Sequence, residues 1–428
     1  MSHPSLLFVN QHYWPDVAST GQHLTDLAEF LANDGFNVEV LCASGKYLSG
    51  RLDVAKGREV HNGVRIRRVK TTSFGRGSNI GRIVDYASFY TQVLGRLLFG
   101  RKFDLVIVLT TPPLLGFACA TAGKLRRQRF AIWSMDLHPD AEEALGMLKS
   151  GGIVTRLLHS MSGFGYRNAD LIVDLGPVMK QRLLNKKVAA DRLQTIPVWN
   201  KADEVFPVKR EENPLRIDLG LDDKFVIMYS GNAGLAHRFD EVFEVMRRLN
   251  DHPDIFFLFV GAGPRRAEIE GFIRENHIVN ARYLDYYSRD KLAYSLSIGD
   301  VHILTLHNDM GGIAAPGKLY GIMAAGRPVV VVGPLQSEPA LTTIEEQVGV
   351  VVDTMVHVGS DAADRLEVEL LGLYNNPTKR QKIGTHARRV FMANYEQSVV
   401  CKYWSQMLQQ QTVPTRTPIG VKLPQLLP

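Results

Sequence analysis

Five short segments carry residue types suited to handling a charged ligand. Residues 229–240 read YSGNAGLAHRFD. An apolar run ends at Ser230, glycines follow at Gly231 and Gly234, and a helix is expected to open near Phe239. Unpaired backbone N–H groups and the dipole at such a helix start favour an anion. Asn232 lies in this turn, and Arg238 adds a fixed positive charge suited to a diphosphate. The same residues also suit a tight strand-to-helix connection with a surface arginine. Residues 260–264, VGAGP, put Gly261 at a second strand end, where close packing of strand on helix is the plainer reading. Residues 307–328, HNDMGGIAAPGKLYGIMAAGRP, form a third segment. Gly311, Gly312, Ala314 and Ala315 let a ligand approach the backbone, and Pro316, Lys318 and Leu319 lead into a helix. A cation at a helix start is disfavoured by the dipole. A bound phosphate accounts for Lys318 there, and so does simple exposure.

Two segments lie in the N-terminal half. Residues 11–21, QHYWPDVASTG, join the first strand to the first helix where a nicotinamide or flavin enzyme carries GxGxxG; the motif is absent. The loop is aromatic and ends in Ser19-Thr20-Gly21 at a helix start. Tyr13 and Thr20 suit an acceptor and Gly21 a donor phosphate. Residues 133–140, WSMDLHPD, set Asp136 and His138 at the end of a buried strand, where they suit orienting a hydroxyl. Their other reading is a loop whose side chains cap nearby backbone.

These segments need strands and helices in alternation. Short apolar runs (SLLFVN, VEVLCAS, VRIRRVK, DLVIVLT, FAIWSMD, DLIVDLG) alternate with helical stretches. That is the pattern of a parallel sheet covered on both faces. A polar stretch with two prolines, KADEVFPVKREENP, reads as a linker. Beyond it the theme repeats through FVIMYSG, IFFLFVG, ARYLD, VHILTL and PVVVVG. The fold class is α/β, two doubly wound Rossmann-like domains facing a central cleft. The domains are expected at 1–200 and 215–395, with a helix over 396–411 and a proline-containing tail over 412–428. Ligands of open parallel sheets bind at the strands' C-terminal ends.

At 428 residues the chain exceeds one core, and its composition is globular, 45% hydrophobic and 22% charged. Cys42, Cys119 and Cys401 lie far apart without metal-ligand spacing, which predicts a reducing compartment and no metal. No signal peptide or spanning segment is read; residues 105–123 are broken by Thr110, Thr111, Pro112 and Pro113. The expected location is cytoplasmic, with peripheral contact to the inner membrane face left open. Residues 1–200 carry a net +9 and residues 201–428 a net −3. The basic half suits anionic lipid or a phosphorylated acceptor, or is a solvated surface. Nucleic acid is not expected, since no reading module accompanies the basic residues. Residues 84–102, VDYASFYTQVLGRLLFGRK, read either as a membrane-touching helix or as a core helix.

Together the segments resemble the retaining GT-B glycosyltransferases of family 4, those of capsule, O-antigen and exopolysaccharide pathways. HYWPDVASTGQHLTDLAEFLANDGFNVEVLCA, RNADLIVDLGPVMKQRL, YSGNAGLAHRFDEVFEVMRRL, FLFVGAGPRRAEIE and PGKLYGIMAAGRPVVVVG carry the likeness, in the family's order. The resemblance implies a nucleotide diphosphate sugar as donor, no further cofactor, retention of configuration without metal, and a lipid-linked or saccharide acceptor. It implies that Arg238, Lys318 and amides near Gly231 and Gly312 stabilise the leaving group, while Asp136 or His138 positions the acceptor. The chain departs from the family at two places. The glutamate that meets the ribose is replaced by Gly321, and its partner falls near Ile313; Glu338 or Asp309 is a substitute to test. The family's histidine falls on Met135, with its paired aspartate on Asp136. Two rivals stay open: a GT-B sugar-nucleotide epimerase, and a non-catalytic nucleotide-sugar-binding partner of another transferase, which Gly321 favours.

Overall fold

The computed structural model describes residues 3–16, 18–44, 57–72, 79–314 and 317–412. Packing divides the chain into two compact units. One comprises residues 1–107, 122–130 and 401–428, the other residues 108–121 and 131–400.

In the first unit, β1 (Ser5–Val9), β2 (Asn37–Ala43), β3 (Gly57–His61) and β4 (Val64–Val69) lie in the order β3-β4-β2-β1. β1 pairs parallel with β2, and β2 with β4. Leu6, Leu7, Phe8, Val38, Val40 and Leu41 are buried. The helix Ser19–Asn33 turns Leu24, Leu27, Ala28 and Leu31 inward, the face its 3.6-residue spacing dictates. The parallel expectation fails at β3, which runs antiparallel to β4. Asn62 and Gly63 join them with φ of 45° and 80°. Asn-Gly with two positive φ values makes the tight hairpin whose twist matches its strands. The helix Asn79–Phe99 buries Phe89, Val93 and Leu97 and pairs Arg96 with Glu39 at 3.3 Å, as a core helix does. The last helix, Gln397–Thr412, buries Cys401, Trp404 and Leu408; its Ser405 bonds Asp34, and Arg129 donates to Gln411 O at 2.6 Å.

β5 (Leu105–Leu109) lies at the division. In the second unit β6 (Phe130–Trp133), β7 (Leu171–Asp174) and β8 (Leu193–Thr195) pair in parallel. The same unit holds β9 (Phe225–Ser230), β10 (Ile255–Val260), β11 (Ala281–Leu284), β12 (Val301–Thr305), β13 (Val329–Gly333) and β14 (Gly349–Asp353). These form one parallel sheet in the order β11-β10-β9-β12-β13-β14. Phe239, Phe243, Phe257 and Phe259 fill one face, and Leu215, Val226, Met228, Leu258 and Ile298 the other. Burial on both faces explains why runs such as VVVVG are apolar throughout.

The stretch expected to be a linker is held down. Asn200 N donates to Tyr395 O at 3.2 Å, Val208 N to Ser297 Oγ at 3.1 Å, and Val205 is fully buried. The fold is that of two parallel-sheet, Rossmann-like domains with helices.

Candidate functional site

From β9 the chain steps to β10 and β11 on one side, then crosses to β12, β13 and β14 on the other. The order therefore reverses between β9 and β12, which are direct neighbours. Loops leaving the two strand ends part there, and open parallel sheets bind ligands in that crevice. The β9 loop carries residues 231–239, and the β12 loop runs to the helix Lys318–Ala324.

Lys318 occupies this point. Its Nζ donates to Asn232 O at 2.8 Å, to Tyr229 Oη, and to His237 Nε2 at 3.0 Å, and lies 4.2 Å from the Tyr229 ring centre. Every partner is neutral, and no carboxylate pairs with Lys318 among the described residues. Desolvation pushes its pKa down to about 7. His237 is buried, with Nδ1 2.5 Å from Thr305 O. A carbonyl only accepts, so Nδ1 carries the proton and Nε2 is left to accept from Lys318. Burial first, then the Lys318 charge, lowers the His237 pKa to about 3, which keeps the ring neutral. Burial raises the Tyr229 pKa and keeps it a phenol, which donates to Asn232 O at 2.9 Å.

Other expected donor residues are placed in different ways. Gly231 has φ 124°, and a Cβ there would sit 2.6 Å from Lys318 Cε. Gly231 N–H donates to Val260 O, and Gly312 N–H is turned to the Glu338 carboxylate, so both of these amides are occupied. Gly261 serves packing: its Cβ would lie 2.0 Å from Gly231 O. Arg238 is held by buried Glu241 through two hydrogen bonds and lies 3.8 Å from Asp240. Leu319 is buried and Ala314 half-buried, while Pro316 lies outside the described residues. Gly321 is buried, and a Cβ there would meet Asn200 Nδ2 at 3.1 Å and Leu296 Cδ1 at 3.5 Å. Of the two proposed substitutes, Glu338 is buried and accepts from Met179 N at 2.7 Å, whereas Asp309 is exposed beside His307.

Asp136 and His138 follow β6. Asp136 forms an isolated antiparallel bridge with Ala314, and Leu137 N donates to Ile313 O at 2.8 Å. Arg182 Nε donates to Gly311 O at 2.6 Å. Backbone pairing thus sets residues 136–137 against the glycine-rich loop that leads to Lys318. Burial raises the Asp136 pKa, and His138 partly offsets it. His138 Nδ1 lies 2.7 Å from Glu142 Oε1, and Ser162 Oγ donates to the His138 carbonyl at 2.7 Å. Desolvation lowers the His138 pKa, but the Glu142 bond and the charges of Glu142, Asp136 and Asp140 outweigh it, so it stands above the ordinary value. A cavity of about 20 Å³ is lined by His138 together with Thr110, Leu115, Ile132, Ser162 and Tyr166. That is room for one water.

Tyr13, Thr20 and Gly21 belong to the first unit. The helix begins at Ser19, so Thr20 and Gly21 sit in its first turn. Tyr13 is buried with its hydroxyl unpartnered among the described residues.

His237 and Glu142 are site residues that no sequence expectation covers. His237 stands one residue before Arg238 in a segment already singled out, but its partners are remote in sequence. Glu142 lies four residues after His138, a spacing that joins side chains on a helix.

Two family models match this chain. A glycosyl transferase 4-like domain covers residues 20–199, and a glycosyl transferases group 1 domain covers residues 212–390. A protein of Escherichia coli named as the colanic acid biosynthesis glycosyl transferase WcaI is 25% identical over 345 residues, 78% of this chain and 84% of that one. Sucrose-phosphate synthase from Thermosynechococcus elongatus shares the fold with a TM-score of 0.73 at 18% identity, over 95% of this chain and 99% of that one. HepE of Anabaena, solved in complex with UDP-glucose, has a TM-score of 0.69 at 13% identity, over 95% of this chain and 100% of that one.

Proposed function

We propose that this chain, which belongs to the GT-B glycosyltransferases of polysaccharide type, moves a sugar from a nucleotide diphosphate sugar to a lipid-linked or saccharide acceptor with retention of configuration. The observation that carries the reading is Lys318. A partly desolvated ammonium with only neutral partners, at the crevice between β9 and β12, is a positive charge set for an anion. The diphosphate of a sugar nucleotide fits that need, and HepE, of like fold, was solved with UDP-glucose.

As the bond to the anomeric carbon breaks, negative charge grows on the leaving phosphate, and Lys318 stabilises it. Such a preset charge is worth roughly 3–4 kcal/mol in the best-studied sites. His237 and Tyr229 hold the ammonium in place without neutralising it. On the acceptor side, Glu142 fixes the His138 ring through Nδ1 and leaves Nε2 to meet a hydroxyl; Asp136 lies two residues away. Retention rests on the family resemblance.

Thermal shift with UDP, ADP and GDP, followed by the matching nucleotide sugars, tests the reading. One nucleotide diphosphate should raise the melting temperature of the native chain by mass action, and Lys318→Ala should abolish the shift. No shift with any nucleotide overturns the reading. A second reading, a non-catalytic binding partner, draws on Gly321, which faces Asn200 where a ribose-binding carboxylate is expected. Donor binding without transfer to any saccharide or lipid-linked acceptor would favour it.

A further inference from the structure

The amino edge of the sheet that carries Lys318 gathers four arginines around one carboxylate. Arg216, in the helix Pro214–Asp218, is 1% exposed, and its Nη2 donates to Asp300 at 2.9 Å. The same Asp300 oxygen accepts the Val226 N–H at 2.8 Å. Lys224 O, just before β9, accepts from both Arg210 and Arg216. Arg216 Nη1 donates to Ile298 O at 2.5 Å. Arg327 Nη2 donates to the adjoining Ser297 O at 3.0 Å and to Val208 O at 2.8 Å. The Arg380 guanidinium lies 5.0 Å from the Phe225 ring centre, and its Nη1 donates to Leu373 O at 2.7 Å. These contacts bring four cations to the starts of β9, β12 and β13.

Carbonyl partners fix where each guanidinium lies but do not cancel its charge. Asp300 and the carbonyl ends of the helices Leu292–Leu296 and Ser360–Tyr374 offset roughly half of it. Other acids nearby are engaged: Glu212 with Lys209 at 2.9 Å, and Asp254 with Tyr374 Oη at 3.1 Å. Asp222 adds a smaller pull on Arg216. Burial holds the pKa of Arg216, Arg327 and Arg380 below the ordinary value; Asp300 opposes the fall and neighbouring arginines add to it. Arg216 spends all three of its nitrogens on Leu221 O, Ile298 O, Lys224 O and Asp300, and so braces the edge. The other three do not. Arg210 and Arg327 hydrogen-bond through Nη2 alone and Arg380 through Nη1 alone. Among the described residues, Arg210 Nη1, Arg327 Nη1 and Arg380 Nη2 therefore have no partner. An extended polyanion would call for a row of exposed cations, whereas these three are half-buried around one point. A compact anion with several oxygens matches them, because guanidinium forks bind phosphate through paired bonds.

We propose that this edge binds a phosphate group, as inorganic phosphate or a phosphomonoester, through Arg210, Arg327 and Arg380. The site is separate from the crevice at Lys318. It lies at the start of β9, whereas Lys318 lies beyond its end, six residues or roughly 20 Å away. A phosphate here ties residues 208–216 to three strand starts and relieves the repulsion among the arginines. The proposal does not rest on the transferase reading.

Thermal melting of the full-length Lys318→Ala chain, which lacks the crevice cation, tests this site by itself. Inorganic phosphate should raise the melting temperature by about 1–2 °C for each tenfold excess over the Kd. Sodium chloride of equal ionic strength should not. Glycerol 2-phosphate, run alongside, separates the sources: a rise with both admits a monoester, and a rise with phosphate alone restricts the site to the free ion. Adding Arg210→Gln should remove most of the rise. The Lys224 carbonyl keeps Arg216 in that variant, so the fold loses no buried pair. Arg380→Gln should cut the rise in the same way, whatever it does to the melting temperature in chloride. No rise with phosphate, a rise that chloride matches, or one undiminished in both arginine variants overturns the proposal. So does a rise seen in the native chain and absent from Lys318→Ala, which belongs to the crevice. A rise that the arginine variants remove, from a native chain that binds no nucleotide diphosphate, would leave this site standing and remove the transferase reading instead.

Discussion

Two strand-end loops of the second unit treat charge in opposite ways. After β9 and β12, a lysine is surrounded by a phenol, a carbonyl and a neutral imidazole. After β6, a histidine is surrounded by carboxylates: Glu142 in contact, with Asp136 and Asp140 near enough to raise its pKa. The first environment leaves positive charge without a carboxylate partner and lowers the pKa of its cation; the second raises the pKa of its base. Both loops meet through the pairing of residues 136–137 with 313–314. A site that handles a phosphate leaving group and an incoming hydroxyl needs this asymmetry, an electrostatic end and a proton-handling end.

Breaking the proton-handling end should have the largest effect. His138→Ala should slow transfer by roughly 10²–10⁴-fold, the usual worth of a positioned acid or base. Donor binding by calorimetry should stay unchanged, since the ring does not touch Lys318. Breaking the electrostatic end comes next: Lys318→Ala should lower turnover by roughly 10²–10³-fold. It should also weaken the binding of nucleotide diphosphate, which His138→Ala should not. If both variants lose donor binding alike, the division between the two ends is wrong.

Arg238 sharpens the contrast. Sequence alone set it beside Lys318 as a second diphosphate cation. In the structure it neutralises Glu241, whose side chain is 2% exposed. Arg238→Ala therefore strands a buried carboxylate and should cost about 1–3 kcal/mol of stability, read as a lower denaturation midpoint. Transfer by the folded fraction should fall less than in Lys318→Ala. The double variant Arg238→Ala with Glu241→Gln should recover stability. A stable Arg238→Ala chain with abolished transfer would return Arg238 to the diphosphate.

How far the sequence reached follows the range of the forces involved. Apolar runs between helical stretches foretold both parallel sheets, because burial on two faces leaves its mark on each strand separately. The Asn62-Gly63 hairpin was equally local and was passed over. Lys318 was legible through a misfit, a cation at a helix start, which needs only its own element. His237 was not, since its role comes from Thr305 and Lys318, brought close only by the β9–β12 crossing. Gly261 carried a glycine signal whose meaning, contact with the Gly231 carbonyl, is purely tertiary. Arg238 and Glu241 are three residues apart and so foreseeable as a pair, but the depth of Glu241 is set by packing.

The smallest predicted effect is the most discriminating, because it has a sign. With its pKa near 7 in the free chain, Lys318 has largely lost its proton at pH 9, whereas an unfolded lysine keeps it to about 10.4. Between those values the unfolded chain binds more protons than the folded one, so Lys318 makes the free chain more stable as pH rises. Ligand binding must go the other way. A bound diphosphate favours the ammonium, so binding takes up a proton, and affinity should fall by up to about tenfold per unit above pH 7. The phosphates are fully ionised there and add no slope of their own. Calorimetry in buffers of different ionisation enthalpy should detect that proton. Lys318→Arg should flatten the profile, because a guanidinium keeps its charge throughout the range. A native profile that is flat from pH 7 to 9 would mean that Lys318 keeps its proton throughout that range in the free chain, and one that rises would mean that the bound phosphate does not meet the Lys318 ammonium.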